Sequence, residues 1–225
     1  RLDDGRHDFC ADPAVLSDSG TQVVTWQGWS VPDMPWDHSA QVRCNLDEHS
    51  ISVIEGKGQQ QQITGSPHGV LSVRDDSGWL NVWCDETSLI ADPAEHAGPS
   101  WGVSQRSFAT SPDGEHLAFT RNLNGFGELC VYSFDAQKWE PIGRGVHHQV
   151  RWGNGGITAL RSGARTPNQL VAYRLESGSS PTDSECWVRT TLAVGPSERW
   201  ASIELSEPSC EEALSDGHRI PFRRY

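Results

Sequence analysis

A possible nucleophile stands at residues 98–102, where Gly-Pro-Ser-Trp-Gly matches the G-x-S-x-G pattern of many hydrolases. Such a serine lies between a buried strand and a helix, because the helix N-terminus and nearby backbone N–H groups stabilise the oxyanion. Residues 102–108 after Ser100 have no helical periodicity and predict strand. We therefore expect Ser100 to lie in β-structure and not to act as a nucleophile.

Histidines offer a second kind of chemistry. The adjacent pair His147 and His148 suggests a metal site, but neighbouring side chains on a strand point to opposite faces. No further ligand follows at a spacing typical of zinc sites. We predict that both lie on a strand or loop without a shared ion, and that His218 faces solvent in a turn.

Paired carboxylates are a third possibility. Asp33 and Asp37 bracket Met-Pro-Trp and could form an acid/base pair of the glycosidase kind. Pro32 and Pro35 make this segment a stiff loop between strands. The sequence favours a structural loop in which Trp36 packs on the sheet and both acids face water.

Two polar stretches complete the candidates. Residues 59–62, four consecutive glutamines, are predicted to be a polar loop. Residues 154–156, Asn-Gly-Gly, predict a turn and not a phosphate cradle, because no helix follows them. The sequence therefore predicts no catalytic, cofactor-binding or metal-binding residue in this chain.

Composition narrows the class of protein. The 225 residues contain 18 Lys and Arg against 30 Asp and Glu, and the formal charge of −12 argues against nucleic acid or an anionic membrane as partner. Apolar runs are far shorter than the roughly 20 residues of a membrane span. Six dispersed cysteines without a CxxC pair favour reduced thiols over disulfides, and hence the cytoplasm.

A repeated turn organises the chain. The template is Ser-x-x-Gly followed by a strand, with a degenerate fourth copy, and its glycines are separated by 49, 45 and 41 residues. Proline, aspartate and glycine at such turns fix the backbone and bond locally. The four copies are residues 17–20, 66–69, 111–114 and 152–155.

A second strand, ending in an acidic residue, recurs after each turn. In the third copy Leu129 and Val131 share one face, while Cys130 and Tyr132 share the other, so both faces must be covered. Short repeats of this kind predict an all-β fold, a β-propeller of about four blades of four-stranded antiparallel sheet, either complete or part of a seven- or eight-bladed ring. Ten tryptophans suit a repetitive β architecture. A β-sandwich is the alternative fold.

Three stretches carry a resemblance to a known family: DMPWD at residues 33–37, DDSGWLNVW at 75–83 and AEHAGPSW at 94–101. In this order they resemble consecutive blades of the N-terminal propeller of the prolyl oligopeptidase family, and most closely its dipeptidyl-aminopeptidase and acylaminoacyl-peptidase group. The resemblance covers most of residues 8–176.

The resemblance implies a propeller that caps an α/β-hydrolase domain with a Ser-His-Asp triad. Here only about four blades and no hydrolase domain are recognisable, and the first residue is Arg, which suggests a piece of a longer or processed protein. Residues 203–208 and 214–221 resemble the segment that leads into the hydrolase. We predict propeller blades over residues 1–190, then a last strand and linker toward the missing hydrolase domain over 191–225.

The function expected from this resemblance is the non-catalytic propeller portion of a serine peptidase, which gates peptide access to a catalytic domain outside the chain. The expected partners are that α/β-hydrolase domain or chain, short peptides, and a second copy of the chain if sheet faces are exposed. Glu211 and Glu212 invite comparison with an acidic pair of some dipeptidyl peptidases, but they lie past the last blade, so that role is not carried over. The alternatives are a free-standing propeller that binds a protein or peptide, and a stand-alone hydrolase.

Overall fold

The computed structural model describes residues 2–18, 21–196 and 202–225. Its regular structure is β-strand, apart from one 3-10 turn at Ser184–Cys186. Consecutive antiparallel strands form four sheets of four strands each, numbered here 1 to 4 along the chain. The predicted blades of four-stranded antiparallel sheet are therefore confirmed.

The strands of sheets 1 and 2 are β1 Phe9–Asp18, β2 Thr21–Trp29, β3 Ala40–Asn45, β4 Ser50–Ile54, β5 Gln60–Ser66, β6 Gly69–Arg74, β7 Asn81–Cys84 and β8 Thr87–Ser88. The strands of sheets 3 and 4 are β9 Phe108–Thr110, β10 His116–Leu123, β11 Phe126–Ser133, β12 Lys138–Arg144, β13 Val146–Gly153, β14 Gly156–Gly163, β15 Thr166–Leu175 and β16 Trp187–Val194.

The repeated turns join the first and second strand of each sheet, and the acid-ended strands are the third strands. Gly69 and Gly114 have φ values of 133° and 79°, which explains why glycine recurs there. In the first copy of the turn, Ser19 and Gly20 lie outside the described residues. The turn-strand order read from the sequence is thus confirmed in sheets 2 to 4.

Two apolar clusters hold sheets 2, 3 and 4 together. Leu71 and Val73 of sheet 2 pack with Phe119 of sheet 3, and on the other side of sheet 3 Val131 packs with Ile157 of sheet 4. All five side chains are fully buried. Each such side chain contributes on the order of 1.5–3 kcal/mol, and both faces of sheet 3 are covered, as its sequence requires.

Sheets 1 and 2 share no apolar cluster of the described residues, and polar bonds connect them: the Ser39 hydroxyl, just before β3, donates to the Gln60 carbonyl of β5 over 3.1 Å. Thr25 and Gln41 of sheet 1 and Ser72 and Arg74 of sheet 2 are at most 5% exposed. The hydroxyl of Thr25 donates to the carbonyl of Val42 over 2.8 Å, so its burial is compensated.

The sheets form an open arc. On the face of sheet 4 that points away from sheet 3, Leu160, Leu170 and Val188 are 38–51% exposed. Cross-strand pairing places Leu160 beside Leu170 on this face. No apolar cluster of the described residues links sheet 4 to sheet 1. The four blades therefore stack around an axis without closing a ring.

The first strands lie nearest this axis, because β1 packs on β5 and β9 packs on β13. We call the upper end the one where the fourth strand of a blade leads into the first strand of the next. The loops that contain residues 33–37 and 75–79 also lie there. The upper end therefore gathers the stretches that carried the family resemblance.

A separate hairpin follows the blades, formed by β17 Ser209–Ser215 and β18 His218–Arg224. It contacts the upper end at the turn between β10 and β11, where the guanidinium of Arg223 lies 4.4 Å from the ring centroid of Phe126. Sheet 4 itself extends to Val194. Among the described residues, no helix has the length and apolar character needed to cross a bilayer.

Candidate functional site

The upper end carries a segment that crosses the axis. We call residues 98–107, the last part of the connection from β8 to β9, the strap. It contains Ser104 in the left-handed region at φ 63°, and the innermost strands contain Asp12, Gln62 and Gln149 at φ 48°, 57° and 54°. The last three stand at register shifts of β1, β5 and β13. Such bulges turn a side chain out of the ladder, here in the first strands of sheets 1, 2 and 4.

Buried glutamines attach the strap to sheet 2. The Gln61 amide donates to the carbonyl of Gly98 over 3.0 Å. The side-chain oxygen of Gln62 accepts from the backbone N–H of Ser107 over 2.6 Å. Both glutamines are 2% exposed, so these bonds replace water that the side chains have lost.

The prediction of a loop at Gln59–Gln62 is therefore wrong. Residues 60–62 belong to β5, and all four side chains are at most 6% exposed. A polar run lacks the alternation that indicates a strand, but this strand faces the axis, where amides bond to one another and to the strap. The feature of the sequence that could have identified this strand is its position, because the glutamine run ends just before the repeated turn that begins at Ser66.

Ser100 has a structural role in the strap. Its hydroxyl donates to the side-chain oxygen of Gln59 over 3.2 Å, and it is 8% exposed. No helix follows it, so the arrangement of a nucleophile elbow is not formed. The predicted strand over residues 102–108 is wrong except for its last residue, because β9 begins at Phe108.

Two further bonds attach the strap to sheets 1 and 4. The backbone N–H of Ser104 donates to Oδ1 of Asp12 over 2.7 Å, and Oδ2 of Asp12 lies 3.6 Å from Nη1 of Arg106. The Gln149 amide donates to the Ser104 carbonyl over 3.2 Å. One residue of the strap is thus bonded to the inner strands of both end sheets.

A cleft of about 630 Å³ lies between the strap and the upper ends of sheets 3 and 4. Its walls include Arg106, Arg121, Asn122, His148 and Gln149. Apolar residues such as Pro99, Val146 and Leu160 also line it, and apolar surface with a few polar groups is typical of ligand pockets.

The charge of Arg121 is already compensated at the wall of this cleft. Its guanidinium bonds to Asp92 and, over 3.1 Å, to Glu128. Burial alone would raise the pKa of Asp92, but the bond to Arg121 and the positive charge of that guanidinium lower it overall. Arg121 therefore holds the wall together more than it attracts an anion.

His147 and His148 point to opposite sides of β13, as predicted. His147 is 5% exposed, with Nδ1 2.7 Å from the Gly145 carbonyl and Nε2 2.7 Å from the hydroxyl of Tyr173. The carbonyl fixes Nδ1 as the donor, so Nε2 accepts from Tyr173. Burial lowers the pKa of His147 to about 4. His148 is exposed.

The other acidic candidates from the sequence are either exposed or paired within their own segment. Asp33 and Asp37 are exposed while Trp36 is half-buried, as predicted for a structural loop. In the hairpin, Glu211 pairs with Arg224 over 2.8 Å and Glu212 pairs with Arg219 over 2.9 Å. His218 is exposed beside a turn, and residues 154–155 form the turn between β13 and β14.

One group of ligand-type atoms lies at the lower end. Carboxylate and ring atoms of Asp113, Glu115 and His116 lie within 4.8 Å of one another. The Asp113 carboxylate accepts from the Ser111 hydroxyl and from the Glu115 N–H, and these bonds lower its pKa. The group is therefore explained as the closure of the Ser111 turn.

The fold and site define the chain as a run of four propeller blades with an axial polar network. Neither protein-family models nor curated protein sequences match the chain. Among solved structures, a puromycin-hydrolysing peptidase of Mycobacterium tuberculosis superposes on 96% of the chain at a TM-score of 0.76 and 20% identity, with 33% of its own length covered.

Two further structures give the same result. A puromycin hydrolase superposes on 99% of the chain at a TM-score of 0.78 and 18% identity, with 34% of its length covered. A prolyl endopeptidase superposes on 92% at a TM-score of 0.53 and 14% identity, with 29% covered. The resemblance found in the sequence is confirmed at the level of the fold, and the chain spans about a third of the length of these peptidases.

Proposed function

We propose that the chain is the non-catalytic propeller portion of a serine peptidase resembling the prolyl oligopeptidase family. The observation that carries the proposal is the superposition of nearly the whole chain on a third of a puromycin hydrolase. The site supports it, because the hydroxyl of Ser100, the serine of the G-x-S-x-G pattern, is engaged in a bond to Gln59.

Its physical task in this proposal is steric selection. Blades stacked around a narrow axis exclude bulky or folded chains without recognising a sequence, so selectivity arises from what cannot enter. The partner is a catalytic α/β-hydrolase domain or chain, and the ligands are short peptides. The exposed face of sheet 4 is available to a further blade or to a second copy of the chain. The cytoplasm is the compartment we propose.

The test compares the 225-residue chain with the complete gene product that contains it. Chromogenic dipeptide amides and peptides of increasing length are the substrates. We expect hydrolysis only by the complete product, with rates that fall as peptides lengthen. Hydrolysis by the 225-residue chain alone, or a complete product that cleaves none of these amides, would refute the proposal.

Exposed tryptophans favour a second candidate, a free-standing propeller that binds a protein or peptide. Trp101 of the strap is 77% exposed and Trp79 is 42% exposed, both at the upper end. Aromatic side chains are frequent anchors of interfaces. The reading frame past Tyr225 discriminates between the candidates: a G-x-S-x-G followed by helical periodicity supports the peptidase, and a stop codon supports the binder.

A further inference from the structure

We propose that the strap closes the axial channel and that peptides are therefore admitted beside it, through the cleft against sheets 3 and 4. The inference rests on the proposed function and names the path by which the substrate enters. Asp12 is the positioning residue in this scheme, because it holds the strap without lining the cleft.

The closure follows from the bonds of a single residue. Ser104 is bonded through its N–H to Asp12 of β1 and through its carbonyl to Gln149 of β13. These strands belong to the two ends of the arc and line the axis. With donor–acceptor distances of 2.7 and 3.2 Å, the backbone at Ser104 bridges the axis, and no peptide passes between bonded atoms.

The strap is built to stay closed. Gln61 and Gln62 fasten its two halves to sheet 2, and both side chains are buried. The carboxylate of Asp12 is 8% exposed, and it holds a backbone N–H and lies beside a guanidinium. Hydrogen bonds to a charged acceptor are stronger than those to a neutral one. Removal of Asp12 therefore releases the strap on the side of sheet 1.

The cleft beside the strap has the dimensions of a ligand site. Its volume of about 630 Å³ falls within the range of small-molecule pockets, roughly 300–1,000 Å³, and fits a peptide of a few residues. Arg106 and Gln105 of the strap form one wall. The strap thus sets both the closed axis and the width of the open cleft.

The first experiment follows amide hydrogen exchange in the 225-residue chain. In Asp12→Ala we expect exchange at residues 102–107 to accelerate on the order of tenfold, which corresponds to about 1.4 kcal/mol. Asp12→Asn keeps the acceptor and should restore most of the protection. Asp33→Ala, an exposed acid at the same end, is the matched control. Unchanged exchange in a folded Asp12→Ala protein would overturn the assigned role of Asp12.

The second experiment uses the complete gene product and the ratio of cleavage rates for a long and a short peptide. Asp12→Ala should raise this ratio several-fold while cleavage of a dipeptide amide stays the same, and Asp33→Ala should change neither. If the product cleaves no peptide, the proposed function is wrong, whereas the exchange experiment still tests the strap. If it cleaves peptides and the released strap leaves the ratio unchanged, the strap does not control the path.

Discussion

Two buried neutral histidines should make the chain lose stability well above the pH at which its carboxylates titrate. His96 is fully buried and its Nδ1 accepts from the Val82 N–H over 3.3 Å, while His147 accepts from Tyr173. Burial lowers the pKa of both to about 4 from the ordinary 6.5.

The direction of the pH dependence is set by which state, folded or unfolded, binds the protons. Below pH 6.5 the unfolded chain takes up a proton on each histidine, whereas the folded chain does not until about pH 4. The free energy of unfolding therefore falls as pH falls from 6.5 to 4 and is constant in this respect above 6.5. Each histidine contributes a slope of up to about 1.4 kcal/mol per pH unit, or about 3 kcal/mol over the window. The sum is comparable to a typical total stability of about 5–15 kcal/mol.

Urea unfolding at half-unit steps from pH 7.5 to 4.5 measures this slope. His147→Gln, which is neutral throughout, should roughly halve the slope near pH 5. His218→Gln, at an exposed position, should leave it unchanged. A free energy of unfolding that stays flat between pH 6.5 and 5 would show that the rings are not held neutral, and the burial argument would fail.

Two substitutions test local packing. Ser100→Ala should lower the free energy of unfolding by about 1 kcal/mol, because Gln59 loses a hydrogen-bond donor. The same variant should leave peptide cleavage by the complete gene product intact. If cleavage were lost, the serine would be catalytic. Gly127→Ala should cost about 1–3 kcal/mol or more, because its Cβ would lie 2.6 Å from the carbonyl oxygen of Gly145, whereas Gly153→Ala meets nothing within 4 Å. Thermal unfolding of both glycine variants measures the difference, and equal midpoints would contradict the steric argument.

The sequence predicted the second and third strands of each blade and missed most of the first. The second and third strands contain apolar runs, and in sheet 3 residues such as Leu129, Cys130 and Val131 are covered by neighbouring sheets on both sides. The first strands face the axis, where amides and carboxylates satisfy one another, so β5 opens with Gln60 and its neighbours and reads as a loop.

In the sequence, the strap overlaps the G-x-S-x-G pattern and the last of the three stretches that carry the family resemblance. Its tethers connect residues that are distant in the chain, since Asp12 and Ser104 are 92 positions apart. No local pattern records such a pairing. The exclusion of Ser100 as a nucleophile needed only the absence of a following helix, which local periodicity does report.

The contacts between neighbouring sheets differ in kind, and this difference shows where the strap adds a further attachment. Sheets 2, 3 and 4 share apolar clusters, whereas no apolar cluster of the described residues joins sheet 1 to sheet 2. Polar bonds such as that from the Ser39 hydroxyl to the Gln60 carbonyl connect these two sheets, and such groups exchange protein partners for water at little net cost. Sheet 1 is therefore the blade that separates most readily. The bond from Asp12 to Ser104 ties it across the axis to the segment that leads into sheet 3. Loss of the Asp12 carboxylate therefore removes both the bond to Ser104 and the ion pair with Arg106, and it leaves the strap attached to sheets 2 and 4.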